Sequence, residues 1–239
     1  MLDHVQQTRE GGLEQSGLCR ADRRGAAHGP AHDRDHRHHG PGVQHRHHQQ
    51  GVLAADGRVE QAAITGDTSD ERDVAAAVRR VVDTWGRLDN VIANAGFSLP
   101  GNLESHAPED MRAMVLTNVL GPALLVRETL PQLRESKGRI VLMGSVAGVR
   151  HTPGNLYSVT KWAVHALAEN TRLLVGQDGV GVTVVAPGVV DTPFWDERGG
   201  SPETALTAEQ IADTIVFALN QPAGVDINHI TMRPTGQLG

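Results

Sequence analysis

RIVLMGSVAGVRHTPGNLYSVTKWAVHALAENTRLLVGQDGVGVTVVA, residues 139–186, is the stretch of sequence that decides the fold. The apolar run at 139–143 predicts a strand, the helical spacing of apolar residues at 155–175 predicts a helix, and the run at 180–186 predicts a second strand. Two strands joined by a helix of this length run parallel, because the crossover returns the chain to the same end of the sheet. The stretch is therefore typical of α/β proteins.

The same alternation of strands and helices extends on both sides of this stretch. Further strands are predicted at 59–66, 88–93 and 226–233, and further helices at 70–85, 109–135 and 208–219. Pro122 falls inside the longest helical stretch, so we expect a break or kink there unless the pattern comprises two helices. The alternation predicts one doubly wound, Rossmann-type domain with a parallel sheet over residues 51–239.

Residues 1–50 do not continue this pattern. Between Cys19 and His48 the only residue of the set Val, Ile, Leu, Met, Phe, Trp and Tyr is Val43, so no strand with a buried face can be written there. Eight of the 13 histidines lie in the same stretch, at positions 28, 32, 36, 38, 39, 45, 47 and 48. A doubly wound nucleotide-binding domain needs its first strand, glycine-rich turn and helix in this region. The first βαβ unit is therefore not legible in the sequence.

Three interpretations of residues 1–50 are open. The histidines could form a metal-binding tract, although no carboxylate-backed His-x-x-x-His spacing lies within a credible helix, and we name no metal ligand. The segment could be a disordered appendage, since it is rich in Gly and Pro and poor in apolar residues. It could also be a shifted reading frame of a GC-rich coding sequence, in which Arg, Gly, Pro, Ala and His codons become abundant; we favour this third interpretation.

Composition excludes several classes of partner. The chain has 22 Lys+Arg against 28 Asp+Glu, a formal net charge of −6, so no overall basic field attracts nucleic acid or an anionic lipid surface. No apolar run approaches the roughly 20 residues that span a bilayer, and no secretory signal is evident. The single cysteine, Cys19, excludes an internal disulfide framework. We expect a cytoplasmic protein with neither a nucleic-acid nor a membrane partner.

Tyr157 and Lys161 are the first candidates for chemistry. Tyr157 is the only tyrosine and Lys161 one of two lysines, and four residues on a helix place both side chains on one face. A nearby ammonium stabilises a phenolate and lowers the tyrosine pKa from about 10, which makes the phenol usable as a general acid or base. The alternative is that Lys161 is an ordinary solvated helix residue.

Other candidates lie where predicted strands end or where a helix is locally unfavourable. Ser145 follows the strand at 139–143, where its hydroxyl could donate to a substrate oxygen or merely satisfy the local backbone. Asn118 is a poor interior helix residue, which marks either a functional position or a kink near Pro122. The turn 94–96 and the segment 187–192 contain small residues, Gly or Pro. These residues would let a ligand approach the backbone closely; the alternative is that they form ordinary turns.

Taken in order, these segments resemble the classical short-chain dehydrogenase/reductase family over roughly residues 58–239. The resemblance rests on NAG at 94–96, TNVLG at 117–121, GS at 144–145, YSVTK at 157–161 and PGVVDT at 187–192. The ending MRPTGQ at 232–237 looks like one branch of the family. One departure is clear: the family's Thr-Gly-x-x-x-Gly-x-Gly turn has no counterpart, since Gly25 and Gly29 have the spacing of its first two glycines but Ala31 replaces the third.

The resemblance implies an oxidoreductase that uses NAD or NADP to move hydride to or from a small carbonyl or secondary alcohol substrate. It implies that Tyr157 is the acid/base, that Ser145 polarises the substrate oxygen, that Lys161 binds the nicotinamide ribose and lowers the Tyr157 pKa, and that Asn118 holds a water. The implied cofactor contacts are Asp67 and Thr68 near the adenine, Asn94, Ala95 and Gly96 on the adenosine side, and Pro187, Gly188, Val190 and Thr192 near the nicotinamide and pyrophosphate. A homodimer or homotetramer is the family expectation. The alternative is a non-catalytic or decayed protein of this fold that lacks the phosphate-binding loop, with a possible metal-binding histidine tract.

Overall fold

The computed structural model describes residues 3–7, 47–55 and 58–237. The strands are β1 (Asp3–Gln7), β2 (His47–Ala55), β3 (Arg58–Gly66), β4 (Asn90–Ala93), β5 (Arg139–Met143), β6 (Gly181–Pro187) and β7 (His229–Met232). The α-helices are α1 (Glu71–Trp85), α2 (Pro108–Val115), α3 (Gly121–Ser136), α4 (Leu156–Val175) and α5 (Ala208–Leu219). The described chain therefore alternates strands and helices from β3 onward, as the sequence predicts.

The strands form two groups. Strands β4, β5, β6 and β7 are hydrogen-bonded in that order and are all parallel, which confirms the predicted α/β fold with a parallel sheet. Strand β1 pairs in parallel with β2 and also lies beside β4. Strand β3 pairs with β2 in the antiparallel direction, a departure from an all-parallel arrangement. In the sequence, β2 and β3 are separated only by Asp56 and Gly57, a dipeptide that tight hairpins favour.

Both faces of the parallel sheet are covered by helices. Successive residues of β5 point to opposite faces, because the side-chain period of a strand is two. Ile140 and Leu142 pack with residues of α1, α3 and α4, whereas Val141 and Met143 pack with Ile211 and Leu219 of α5. The two cores hold the sheet rigidly between layers, and this confirms the doubly wound arrangement.

Helix boundaries follow from capping residues. Asp70 accepts the Arg72 N–H at 2.7 Å and begins α1, and Asn155 accepts the Ser158 N–H at 2.8 Å and begins α4. Thr207 and Gln210 form a reciprocal capping box at the start of α5. These side chains satisfy backbone donors that the first turn leaves free. The predicted helix starts at 70, 155 and 208 therefore lie within one residue of the observed ones.

The predicted break at Pro122 is corrected by the structure. Helices α2 and α3 are continuous through one π-helical turn at Leu116–Leu120, and Pro122 occupies the first turn of α3, where a missing N–H is tolerated. Asn118 lies in this turn.

The combined helix Pro108–Ser136 is long and apolar enough by composition to cross a bilayer. Its apolar residues Met114, Val126 and Leu133 are buried in the protein, so it serves here as a core helix.

The segment 1–50 is only partly described. Strand β1 and the start of β2 lie inside it, whereas residues 8–46, with the histidines from 28 to 45 and the glycines at 25 and 29, lie outside the described residues. The three interpretations of this segment stay predictions.

Candidate active site

A cavity of about 660 Å³ opens at the carboxyl ends of β4, β5 and β6. Parallel sheets place strand ends, and the loops that follow them, at one edge, which is where ligands bind in open α/β folds. Residues with polar side chains that line the cavity are Asn94, Ser98, Ser145, Asn155, Tyr157, Lys161, Asp191, Thr192 and Gln237. The structure therefore brings three of the four predicted catalytic residues to one cavity.

Lys161 is buried deep in this site. Only 5% of its surface is exposed, and its Nζ donates to the Met143 carbonyl oxygen at 2.7 Å. The Nζ lies 5.6 Å from the centre of the Tyr157 ring, as the spacing of one helical turn predicts. Burial lowers the pKa of Lys161 to about 8, because a desolvated ammonium is less stable than a neutral amine. At neutral pH the group still carries most of its charge beside the phenol.

Tyr157 lies in the first turn of α4, one turn before Lys161. Its ring packs against Phe194, with ring centres 5.8 Å apart and planes tilted by 53°. Phe194 in turn meets Trp195 edge to face at 5.4 Å. An aromatic pair thus packs against the Tyr157 ring at the cavity.

Ser145 begins a single 3-10 turn that follows β5. Its Oγ accepts the Ala147 N–H at 3.1 Å, so the hydroxyl proton can be donated to a ligand oxygen. The turn is held to α4, because the Ser158 Oγ contacts the carbonyl oxygens of Ala147 at 2.7 Å and Arg150 at 3.0 Å. Ser145 is thus a local backbone partner that also lines the cavity, and its donation to a ligand oxygen stays a prediction.

Asn118 does not line the cavity; it lies beneath it, 1% exposed. Its Oδ1 accepts the Phe97 N–H at 3.0 Å, and its Nδ2 donates to the Phe97 carbonyl at 2.8 Å and to the Thr160 Oγ1 at 3.0 Å. One side chain thus joins the segment after β4 to the helix that carries Tyr157. In the described structure the Asn118 side chain positions the cavity wall.

His165 lies one turn after Lys161, under the turn that carries Ser145. A Cβ on Gly144 would lie 2.4 Å from the His165 Nε2 and one on Gly148 would lie 2.8 Å from it, so both glycines are required by this packing. The His165 ring meets the ring of His229 on β7 edge to face at 5.1 Å. Burial first, then the charges of His229 and Lys161, lower the pKa of His165 to about 4, while the Ser145 backbone raises it. The ring is therefore neutral at pH 7.

The segment after β6 forms the opposite wall. The Trp195 Nε1 donates to the Val190 carbonyl at 2.9 Å, and backbone bonds join Leu206 to Val189 at 2.9 Å and to Asp191 at 2.8 Å. Thr192 begins the 3-10 turn Pro193–Arg198. Pro187, Gly188, Val190 and Thr192 all line the cavity, where the resemblance places the nicotinamide end of a cofactor.

The predicted adenosine-side residues are divided between the main cavity and a separate small cleft. Asp67 accepts bonds from the Ser69 N–H and Oγ, both at 2.8 Å. Thr68 and Ala95 border the small cleft at the start of α3, Gly96 lines the main cavity, and Asn94 lines both. The Thr68 Oγ1 is buried and has no hydrogen-bond partner among the described residues. Buried hydroxyls are normally paired, so this oxygen is available to a polar ligand atom.

The residues present fit the nicotinamide end of the cofactor. A Cβ on Gly96 would lie 3.2 Å from the Asn118 Oδ1 and 3.5 Å from the Lys161 Nζ, so the missing side chain leaves the floor of the cavity open. The unpaired Thr68 Oγ1 provides a polar atom on the other side of Asn94. The described residues contain no counterpart of the family's glycine-rich pyrophosphate turn.

Two residues that hold parts of the site in place were missed by the sequence analysis. Thr160 accepts from Asn118 and donates to the Tyr157 carbonyl at 2.7 Å. Gln237 reaches the cavity from the end of the chain and accepts the Val189 N–H at 3.1 Å. The MRPTGQ ending was the only sequence signal for Gln237, and Thr160 had none beyond its place within YSVTK.

Comparison with known proteins identifies the family. The sequence profile of the short chain dehydrogenase family matches residues 44–202, which is more than half of the chain. This chain belongs to the short chain dehydrogenase family. The match confirms the resemblance. It begins at residue 44, upstream of residue 58, from which the sequence alone shows the resemblance. The chain is accordingly an oxidoreductase of the short chain dehydrogenase family.

Relatives and solved structures support this membership. An uncharacterized oxidoreductase of Staphylococcus epidermidis is 33% identical over 173 residues, which cover 72% of this chain and 75% of the relative. An alcohol dehydrogenase from the archaeon Thermococcus sibiricus, in complex with 5-hydroxy-NADP, has 28% identity and a TM-score of 0.67, covering 72% of this chain and 74% of that one. The protein ElxO with NADP bound has 26% identity and a TM-score of 0.64, and the match covers 70% of this chain and 75% of the ElxO chain.

Proposed function

We propose that this protein interconverts a small carbonyl compound and the corresponding secondary alcohol with NAD or NADP as hydride carrier. The observation that carries the proposal is the meeting of Tyr157, Ser145 and Lys161 at one cavity at the carboxyl edge of the sheet. NADP in the similar structures supports the choice of cofactor class. Nicotinamide, when bound, supplies or accepts the hydride at C4.

The proton chemistry belongs to Tyr157 and Ser145. During reduction the carbonyl carbon gains the hydride, and the Tyr157 hydroxyl gives its proton to the oxygen that becomes the alcohol. The Ser145 hydroxyl donates a hydrogen bond to the same oxygen and stabilises the negative charge that develops there. During oxidation the phenolate of Tyr157 removes the alcohol proton. The ratio of reduced to oxidised cofactor decides whether reduction or oxidation predominates.

Lys161 makes Tyr157 competent for both steps. A positive charge near a phenol stabilises the phenolate relative to the neutral form. The Met143 carbonyl holds the ammonium in place at 2.7 Å, so the charge does not swing away into solvent. Lys161 and the segment 187–192 would hold the ribose and nicotinamide, while Thr68 and Asn94 would meet the adenosine end.

Replacing Tyr157 by Phe tests this mechanism. The variant keeps the ring that packs against Phe194 and removes only the hydroxyl. We expect turnover to fall by about 10²- to 10⁴-fold, the usual contribution of a general acid or base, while cofactor binding and the unfolding temperature stay close to wild type. Steady-state kinetics with a panel of carbonyl compounds and alcohols measures it. Wild-type turnover in Tyr157→Phe would remove the assigned role.

We also propose a homo-oligomer, the family expectation. Apolar side chains of the α2–α3 helix and of α4 are exposed in the monomer: Val115, Leu120, Val159 and Trp162. In a homo-oligomer a second copy of the chain would cover these side chains, since burial of apolar surface is favourable. Light scattering of the purified chain checks the mass, and a monomer at micromolar concentration would contradict the proposal.

A further inference from the structure

The residues after β7 form a turn that returns the chain to the cavity. The Gln237 N–H donates to the Pro234 carbonyl oxygen at 3.1 Å, and Gly236 adopts a left-handed backbone with φ of +95°. Glycine takes this conformation without the strain that a side chain would add. The turn brings Gln237 to the cavity wall, although the proposed reaction assigns no role to this end of the chain.

Gln237 and the loop 187–192 fit each other closely. The Gln237 Oε1 accepts the Val189 N–H at 3.1 Å. A Cβ on Gly188 would lie only 2.1 Å from the same oxygen, so the side-chain amide occupies the space that a larger residue at 188 would fill. The Gly188 N–H donates to the Met232 carbonyl at 2.7 Å, just before the turn.

Val189 is therefore held from two sides. Its N–H is bound by the tail through Gln237, and its carbonyl accepts the Leu206 N–H at 2.9 Å from the segment that covers the cavity. These two bonds fix the direction of the peptide groups on either side of Val189. Its neighbours Gly188 and Val190 are both cavity residues, so a rotation of these peptides would change the cavity wall.

We propose that Gln237 is a positioning residue that holds the loop 187–192 in the shape that receives the nicotinamide end of the cofactor. The inference rests on the proposed function, since it assumes that this loop meets the cofactor. Without the Gln237 oxygen, the Val189 N–H loses its partner at a partly buried position, and the loop gains freedom to rotate. Cofactor binding then has to order the loop as well.

Two substitutions separate the hydrogen bond from the bulk of the side chain. Gln237→Leu keeps a similar size and removes the acceptor, whereas Gln237→Glu keeps an acceptor at the same place. We expect Gln237→Leu to raise the KM for the cofactor by roughly three- to tenfold and to change kcat less. This range corresponds to the loss of one hydrogen bond. Glu restores both values toward wild type.

Hydrogen exchange without cofactor gives a readout that is independent of activity. Amides of the segment 187–192 should exchange several-fold faster in Gln237→Leu than in wild type and return toward wild type in Gln237→Glu. Gln237→Asn, whose amide is too short to reach Val189, should behave like Leu. Gln237→Asn replaces Gln237→Leu in this measurement if the Leu variant does not fold.

A substitution at Gly188 tests the fit from the other side. The methyl group of Gly188→Ala meets the Gln237 Oε1, the far end of a flexible side chain, and pushes it off Val189. We expect Gly188→Ala to reproduce the Gln237→Leu phenotype and to add little in a Gln237→Ala background. Fully additive effects of the two changes would contradict the inference.

The outcomes separate this inference from the proposed function. Wild-type exchange and wild-type cofactor KM in Gln237→Leu would overturn the role of Gln237. Wild-type chain that binds neither NADH nor NADPH would overturn the proposed function and, with it, the cofactor part of the inference. The inference is supported if amides of the segment 187–192 exchange faster in Gln237→Leu and Gln237→Asn and return toward the wild-type rate in Gln237→Glu.

Discussion

Asn118 shows how one residue can organise a site without lining it. Its side chain makes three hydrogen bonds, to both backbone groups of Phe97 and to Thr160, while 1% exposed. The sequence marked Asn118 because asparagine is unfavourable inside a helix. The sequence could not show which segments it joins, because Phe97 lies 21 residues away and Thr160 lies 42 residues away.

Asn118→Leu should destabilise the protein strongly. The change keeps the volume but removes the Asn118 partner of the Phe97 N–H and carbonyl at a partly buried place, which costs about 2–4 kcal/mol of unfolding free energy. Urea denaturation measures it. Asn170→Leu is the matched control, since the Asn170 amide makes one exposed bond to the Ala166 carbonyl at 2.8 Å. Equal losses in the two variants would contradict the anchoring role.

Lys161 gives a prediction for alkaline pH. Burial lowers its pKa from 10.5 to about 8, so between these values the unfolded chain holds more protons than the folded one. Stability then rises with pH across this window, because the cost of burying the charge disappears. Lys161→Met should lack this rise, and Lys137→Met, which removes the exposed second lysine, should keep it. Parallel stability curves for wild type and Lys161→Met from pH 7.5 to pH 10.5 would contradict the burial argument.

Helix α4 carries the chemistry on successive turns of one face. Tyr157, Lys161 and His165 are each four residues apart, and the helix begins where Asn155 caps it. This element was predictable in position, because cap and periodicity agree, and it brings Tyr157 and Lys161 to the cavity. His165 could not be placed from sequence, since its surroundings come from the turn after β5 and from β7.

Acid should destabilise the protein through His165. Burial, aided by His229 and Lys161 and opposed by the Ser145 backbone, lowers the pKa of His165 from 6.5 to about 4. The unfolded chain binds more protons between these values, so stability is lost as pH falls from 6.5 toward 4. His165→Gln should flatten this part of the stability curve. His151→Gln, at an exposed ring stacked on Trp162, should not, and equal flattening in both would contradict the assignment.

The π-helical turn before Gly121 illustrates a limit of sequence patterns at the scale of an element. Pro122 and Gly121 predicted a break, yet the helix continues through a five-residue turn and places Asn118 in its middle. A π turn is set by tertiary packing around the bulge rather than by propensity. Proline at the first turn of α3 is compatible with either outcome.

At the scale of the whole molecule, the parallel sheet was predictable because its strands β4, β5 and β6 are buried almost throughout and read as apolar runs. The β5 strand matches its predicted bounds for this reason. The pairing of β2 with β3 was not predicted, since β2 begins in a histidine-rich stretch, although Asp56-Gly57 was an available hairpin signal. The cytoplasmic location stays a prediction.

The central claim is that the described cavity and the rest of the chain together bind a nicotinamide cofactor. Cofactor binding is the property that the sequence supports least directly, because the usual glycine-rich phosphate turn is not legible in it. Binding also distinguishes an active oxidoreductase from a decayed member of the same family, since a chain without a phosphate site would keep Tyr157 and Lys161 and still not turn over.

A titration of the purified 239-residue chain with NADH and with NADPH tests this claim most directly. Nicotinamide fluorescence and thermal unfolding are followed in the same samples. We predict saturable binding of at least one cofactor together with a rise of the unfolding temperature, because a ligand that binds only the folded state stabilises it. A folded chain whose unfolding temperature and fluorescence respond to neither cofactor would contradict the account.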